Sequence, residues 1–291
     1  MSAAVLDSHT HAWGRWPYRP SVPDPATRGS LEQLLFEMDA NDVEAAAVVC
    51  ASIEGNPDNL GYVAEAASKV AAGRLHLIAD LDCTWSATYH SPGAPERLER
   101  LADRYPLAGV THYVETDNDG WLLGTEADEL VAAATERGLL LSLALGPAWF
   151  SDLCTLASRH RGAVFLCHHL GGLSAAGSAG MAALDQVLAA SAQPNIYLKA
   201  SGFHYCSQRP WDHPWHDALG VLRALAGAFG AGRLCWGSDF PASRPFCTYR
   251  QSLEAVRTHA EFLATTERDA ILGGNLSGLL AGRRTTTEEK R

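Results

Sequence analysis

The sequence predicts a single (β/α)8 barrel of the TIM type, a fold in which eight parallel strands close on themselves inside a ring of helices. Three observations predict it. Eight short apolar segments recur along the 291 residues, and each is followed by an Ala/Leu-rich stretch with helical spacing. Strands alternating with helices make βα units and a parallel sheet, and eight of them in a chain of this length match a closed barrel. The first strand ends in His9-Thr10-His11, where a doubly wound open sheet would carry a Gly-rich phosphate turn.

The predicted strands are Ala4–His9, Ala45–Cys50, Leu75–Leu81, Ala108–Val114, Leu139–Leu145, Ala163–Leu170, Asn195–Ser201 and Arg233–Asp239. Each is a short apolar run of the kind a strand buried on both faces requires. The predicted helices are Leu31–Ala40, Leu60–Ala72, Pro95–Arg104, Glu126–Arg137, Trp149–His160, Met181–Ala190, Trp215–Phe229 and Tyr249–Leu263. Ala12–Arg28, with Trp13, Trp16, Tyr18 and four prolines, is a long loop after the first strand, and Gly202–Pro214 is another after the seventh. Both belong at the C-terminal face of the barrel, where barrel enzymes place their chemistry. One domain is expected over 1–282, with a polar tail at 283–291.

With 47% hydrophobic and 19% charged residues, the chain can bury one core. A formal charge of -10 argues against nucleic acid or an anionic membrane as partner. No run of 18 apolar residues marks a transmembrane helix, and the N-terminus lacks the basic and apolar regions of a signal peptide. The seven cysteines include no CxxC, and Cys50, Cys83, Cys167 and Cys235 lie in or beside apolar runs. Reduced thiols and a cytoplasmic location are the expectation. The expected partner is a small molecule, and oligomer formation is left open.

Three motifs carry the chemistry. His9 and His11, two apart at a strand end, project to the same side and suit a divalent metal or a pair of hydrogen-bonding groups. Cys167-His168-His169-Leu170-Gly171-Gly172 closes the sixth strand, and strand alternation lets only one of its two histidines face inward. Trp236-Gly237-Ser238-Asp239-Phe240-Pro241 ends the eighth strand, the neighbour of the first in a closed barrel, so Asp239 is expected beside His9 and His11. An Asp in this position elsewhere would be read as a helix N-cap.

Together these motifs resemble the amidohydrolase superfamily, in particular its amidohydrolase-2 branch of sugar lactonases, pyrone dicarboxylate lactonase-like enzymes and metal-dependent aromatic decarboxylases. The resemblance extends to Asn195-Ile-Tyr-Leu-Lys-Ala-Ser-Gly202 and to Ile271-Leu-Gly-Gly-Asn275, and so covers nearly the whole chain. It implies that His9, His11, His169 and Asp239 are both the catalytic set and the ligands of one divalent metal, Zn2+ by ligand type. His168 stands where relatives often have Asp or Asn, which makes it the outward-facing member. Lys199 matches a lysine common in the lactonase-like group, as a substrate contact or a structural ion pair. The chain departs from that group at Gly109-Val110-Thr111-His112, where many relatives read Gly-Val-Arg. His112 thereby becomes a candidate substrate contact, with an outward orientation as the alternative, and a carboxylated lactone is less strongly implied. No fourth-strand lysine is suited to carbamylation, so one metal or none is expected.

The expected activity is hydrolysis of a cyclic ester or related carbonyl compound by water that Asp239 deprotonates. A metal would lower the pKa of that water; without one, the histidines would polarise the carbonyl. The alternative is a lyase that decarboxylates or hydrates an aromatic or unsaturated acid in the same site. A barrel that binds without turnover would need a missing catalytic group, and none is missing. The remaining candidate substrate contacts are Trp13, Tyr89, His204, Arg209 and Arg244; Trp16, Tyr18, Trp85, Tyr113, Trp149, Tyr205, Arg15 and Arg19 are further mouth residues. Asn275 is expected to cap the final helix.

Overall fold

The computed structural model describes residues 4–175 and 177–288. Its sheet has eight strands in sequence order, every neighbouring pair from β1 to β8 parallel. They are β1 Val5–Thr10, β2 Val43–Cys50, β3 Leu75–Asp80, β4 Leu107–Tyr113, β5 Leu140–Ala144, β6 Phe165–Cys167, β7 Ile196–Ala200 and β8 Leu234–Trp236. The predicted (β/α)8 barrel is thus the fold.

Two sets of apolar side chains hold it. The inner set is small and tight: Leu6, Ala45, Ala47, Val49, Ile78, Ala108, Leu140, Leu166 and Cys235, with Leu276 and Leu280 of the last helix packed against them. The outer set joins the opposite strand faces to the surrounding helices, for example Val48, Val110, Leu141, Phe165 and Leu198 against Leu34, Leu98, Leu130, Leu153 and Leu222. Strand alternation sorts residues between the two. Burial of these side chains is the main favourable term in folding, at about 25 cal/mol per Å2 of apolar surface.

β1 and β8 close the ring through their ends. The Asp239 amide donates to the His9 carbonyl at 2.8 Å, the His11 amide to the Phe240 carbonyl at 2.6 Å, and Ser8 Oγ to the Cys235 carbonyl at 3.2 Å. Beside this seam the buried Asp7 carboxylate accepts from the amides of His9 and Ser238 and from the Tyr249 hydroxyl.

The strands predicted to run longest at the mouth stop early, for a backbone reason. β6 ends at Cys167 because His169 and Leu170 are left-handed (φ 46° and 54°), and β8 ends at Trp236 before a left-handed Asp239 (φ 55°). The last helix, Asn275–Glu288, runs past residue 282 into the segment expected as a tail, and residues 289–291 lie outside the described residues. Asn275 is inside that helical run, and its Nδ2 donates to the carbonyls of Ala231 and Leu234, so it ties the helix to β8 instead of capping it. All seven thiols are free. Among the described residues no helix is long and apolar enough to cross a membrane.

Candidate active site

Four imidazole Nε2 atoms converge on one buried carboxylate at the C-terminal mouth. Asp239 Oδ1 lies 3.3 Å from His9 Nε2, 3.7 Å from His11 Nε2 and 3.9 Å from His169 Nε2, and Oδ2 lies 3.9 Å from His204 Nε2. Each side chain arrives by a different route. His9 and His11 leave β1 on one side, their rings perpendicular with centroids 5.0 Å apart. His169 leaves β6 on left-handed backbone, and His204 sits in the turn Phe203–Cys206 that follows a left-handed Gly202. Gly202 passes so close to His169 that a Cβ there would meet Nδ1 at 2.7 Å.

Hydrogen bonds beyond the cluster orient the rings. His11 Nδ1 donates to the Val49 carbonyl at 2.9 Å, so its Nε2 presents a bare lone pair. His169 Nδ1 pairs with Ser201 Oγ at 3.1 Å. His9 Nδ1 meets Lys199 Nζ at 2.8 Å. Several polar atoms of the cluster are buried with no hydrogen-bond partner: His9 Nε2, His204 Nε2 and Asp239 Oδ2, with His168 Nδ1 nearby. A buried group left unpaired is costly, and such a concentration marks a place where a ligand completes the set.

Burial governs the charges. It pushes Asp239 up to about 8, with the Tyr205 hydroxyl offsetting part of the rise. It brings Lys199 down to about 7 and His11 and His204 down to about 4, and holds His9, His168 and His169 well below their ordinary value. The imidazoles are therefore neutral at physiological pH, and the carboxylate is poised as an acid–base group.

Among the described residues two groups of possible metal ligands each keep their ligand atoms within 4.8 Å of one another: His9, His11 and Asp239, and His9, His168 and His169. Nitrogen and carboxylate donors of this kind fit a single Zn2+, and the bare Nε2 of His11 fits directly. His9 would ligate through Nε2 with its hydrogen on Nδ1, facing Lys199 Nζ at 2.8 Å.

Of the residues singled out in the sequence, the fold brings His9, His11, His169, Asp239 and His204 together, with Trp13 stacked on His11 at 5.3 Å and Lys199 behind His9. Others lie elsewhere. His112 points out of the barrel, donating from Nδ1 to the Leu81 carbonyl and meeting His90 Nε2 at 3.2 Å. Tyr89 stacks on His90, and its hydroxyl accepts from the Glu115 amide. Arg209 is exposed beside Asp212, and Arg244 donates to the Arg28 carbonyl across the Phe240 ring.

His168 corrects the sequence reading, which turned it outward. It faces inward, its ring 4.4 Å from that of His9 and its Nε2 2.7 Å from Ser142 Oγ. Alternation from Leu166 inward and Cys167 outward gives His168 inward parity; His169 joins it by leaving the strand. Ser142 was missed as a site residue, and Tyr205 was named only as one of several mouth aromatics. Ser142 is a polar side chain amid Leu-Leu-Ser-Leu-Ala on β5, at the parity of Leu140, which was a readable signal. Tyr205, half-exposed, packs on His204 at 3.9 Å and on His169 at 5.3 Å, with its hydroxyl beside Asp239.

Comparison with known proteins shows the family and the fold. The family model described as Amidohydrolase matches residues 6–275. An L-fucono-1,5-lactonase from Burkholderia ambifaria is 27% identical over 284 residues, 93% of each chain. An amidohydrolase from Burkholderia multivorans with bound zinc superposes with a TM-score of 0.74 at 22% identity, covering 96% of this chain and 99% of that one. A proposed 2-pyrone-4,6-dicarboxylic acid hydrolase from Pseudomonas putida gives a TM-score of 0.74 at 22% identity, covering 97% and 98%.

Proposed function

The chain belongs to the amidohydrolase family, and from that premise we propose that it hydrolyses a lactone, with an uncharged sugar-acid lactone as the substrate class. The observation that carries the reading is the convergence of four neutral imidazoles on the Asp239 carboxylate. The ionised carboxylate takes a proton from water as the oxygen attacks the carbonyl, then returns it to the ring oxygen that leaves. Its high pKa makes it a stronger base than an exposed carboxylate. His11 Nε2, lacking a hydrogen, accepts from that water and orients it. An N–H on a neighbouring imidazole donates to the carbonyl oxygen as it gains charge.

His9, His11, His169 and Asp239 would hold a divalent ion, Zn2+ by donor type, and when bound it would supply Lewis-acid polarisation of the carbonyl. The mouth supplies aromatic faces and hydroxyls, from Trp13, Tyr18, Tyr113 and Tyr205, which suit a hydroxylated ring. Arg209 and Arg244, the arginines expected to meet a substrate carboxylate, are engaged elsewhere, which supports an uncharged substrate. Acid release from L-fucono-1,5-lactone and other aldonolactones, run beside carbon dioxide release from aromatic acids, tests the reading. Lactone hydrolysis is expected; carbon dioxide release with inert lactones overturns it.

A further inference from the structure

The two oxygens of the Asp239 carboxylate face different neighbours. Oδ1 meets His9, His11 and His169, the three rings that with Asp239 would hold a metal, whereas His204 approaches Oδ2, its Nε2 at 3.9 Å. Among the described residues His204 belongs to neither group of possible metal ligands. Both His204 Nε2 and Asp239 Oδ2 are buried without a hydrogen-bond partner, and their separation is too long for a bond between them. The span suits one oxygen atom placed within hydrogen-bond reach of each.

The setting of His204 makes that position selective. The residue is only 3% exposed, and its ring packs against Tyr205 at 3.9 Å and Phe246 at 4.7 Å. The backbone fixes it there: the amides of Tyr205 and Cys206 bond back to the carbonyl of left-handed Gly202, at 2.9 and 3.2 Å, and Phe203 stacks on Trp215. In such surroundings an oxygen that meets both polar atoms is favoured, and a C–H in its place leaves both unpaired. A hydroxyl serves the pair with the hydrogen on either atom. It donates to the one that lacks a hydrogen and accepts from the one that bears it.

We propose that His204 is a specificity-determining residue which, together with Asp239 Oδ2, binds a hydroxyl of the substrate, the one on the carbon next to the lactone carbonyl. The choice of hydroxyl follows from the carboxylate. Its two oxygens share one carbon, so a group held on Oδ2 lies beside the carbon that water attacks from Oδ1. That choice rests on the lactonase reading; the binding of a hydroxyl by the pair does not. The substrate class narrows to 2-hydroxy lactones.

The test compares an aldonolactone that the enzyme hydrolyses with its 2-deoxy counterpart. The wild type should favour the hydroxylated lactone about 100-fold or more in kcat/KM, as a site built for a hydroxyl rejects a ligand that lacks it. His204→Phe should shrink that ratio to about threefold or less, and His204→Gln, whose amide both donates and accepts, should restore most of it. A merely structural role would lower both rates alike and leave the ratio unchanged. A wild type indifferent to the hydroxyl, or a ratio kept in His204→Phe, overturns the proposal. The inert lactams 3-hydroxy-2-pyrrolidinone and 2-pyrrolidinone, titrated into the protein by NMR, need no turnover. The hydroxylated one should bind about tenfold tighter, and the difference should vanish in His204→Phe; equal binding to the wild type overturns the proposal. If no lactone is hydrolysed while the lactams still differ, the lactonase reading falls and the hydroxyl site stands.

Discussion

Asp7 Oδ1 accepts the backbone amide of Ser238 at 3.0 Å across 231 positions of sequence. The same oxygen accepts the His9 amide at 3.0 Å, and Oδ2 takes the Tyr249 hydroxyl at 2.9 Å. One carboxylate thus spaces the residues that precede or carry the two halves of the catalytic pair. Asp7→Ala leaves three buried donors unmatched and is expected to cost about 3 kcal/mol or more of stability. Urea unfolding would measure it, and Asp7→Asn, which keeps one acceptor oxygen, should lie between the variant and the wild type.

Asp239→Asn removes the base while keeping its shape. Turnover of a lactone substrate should fall about 10²–10⁴-fold, with the far-UV spectrum unchanged. An Asn variant with wild-type kcat would remove Asp239 from its assigned role.

Gly202→Ala is expected to act on His169. Its φ of 64° is one that L side chains rarely adopt, and the added Cβ would meet the His169 ring at 2.7–2.8 Å. The strained backbone costs about 1–2 kcal/mol, and the displaced imidazole should lower kcat more than it raises KM. Steady-state kinetics beside a thermal melt would separate these two effects.

Stability should fall as the pH drops below about 6.5. Burial lowers the pKa of His9, His11, His112, His168, His169 and His204. Each therefore contributes stability above the unfolded value of about 6.5 that is lost as pH falls toward the folded one. Asp7 and Asp239 are raised, to about 6 and about 8, and their stabilisation is lost in the opposite direction, as pH rises. Near pH 5 the unfolded chain binds protons at the six histidines and the native chain at the two carboxylates, so the net slope follows the histidines. Urea midpoints measured between pH 7.5 and 4.5 should decline steadily; a flat profile would contradict the neutral, buried assignment.

Zn2+ titrated calorimetrically into chelator-stripped protein should fill no more than one site. His11→Ala should weaken that binding tenfold or more, because within the Asp239 cluster it is His11 whose Nε2 lone pair is fixed by an Nδ1 bond to a backbone carbonyl. Binding of two equivalents would argue for a separate centre at His9, His168 and His169.

The barrel was readable because its signal is repetitive: eight apolar runs with intervening helical spacing leave little freedom in topology. His9, His11 and Asp239 were readable as a group because closure brings strands one and eight together, and His169 joined them through the family resemblance. What alternation alone misplaced was the backbone that abandons strand geometry. Left-handed φ at His169 lets two adjacent histidines both face inward, and no periodic rule anticipates that. His112 faces outward because a register irregularity at Leu107–Gly109 shifts the alternation of β4, so that Ala108 is inner and Val110 outer. Tyr205 could not be ranked above other mouth aromatics, because its place depends on a turn that begins at Gly202.

The seam between the two ends of the sheet also has a temporal side. Asp7, His9 and His11 emerge before their partners at 235–240, which follow after roughly 230 more residues, on the order of tens of seconds at ribosomal speed. Until then the first strand has one edge unpaired, and the Asp7 carboxylate has only the nearby His9 amide of its three donors. Such long-range closure makes a slow, late folding step. Activity should therefore appear in a single stage during refolding, after most helical signal has returned.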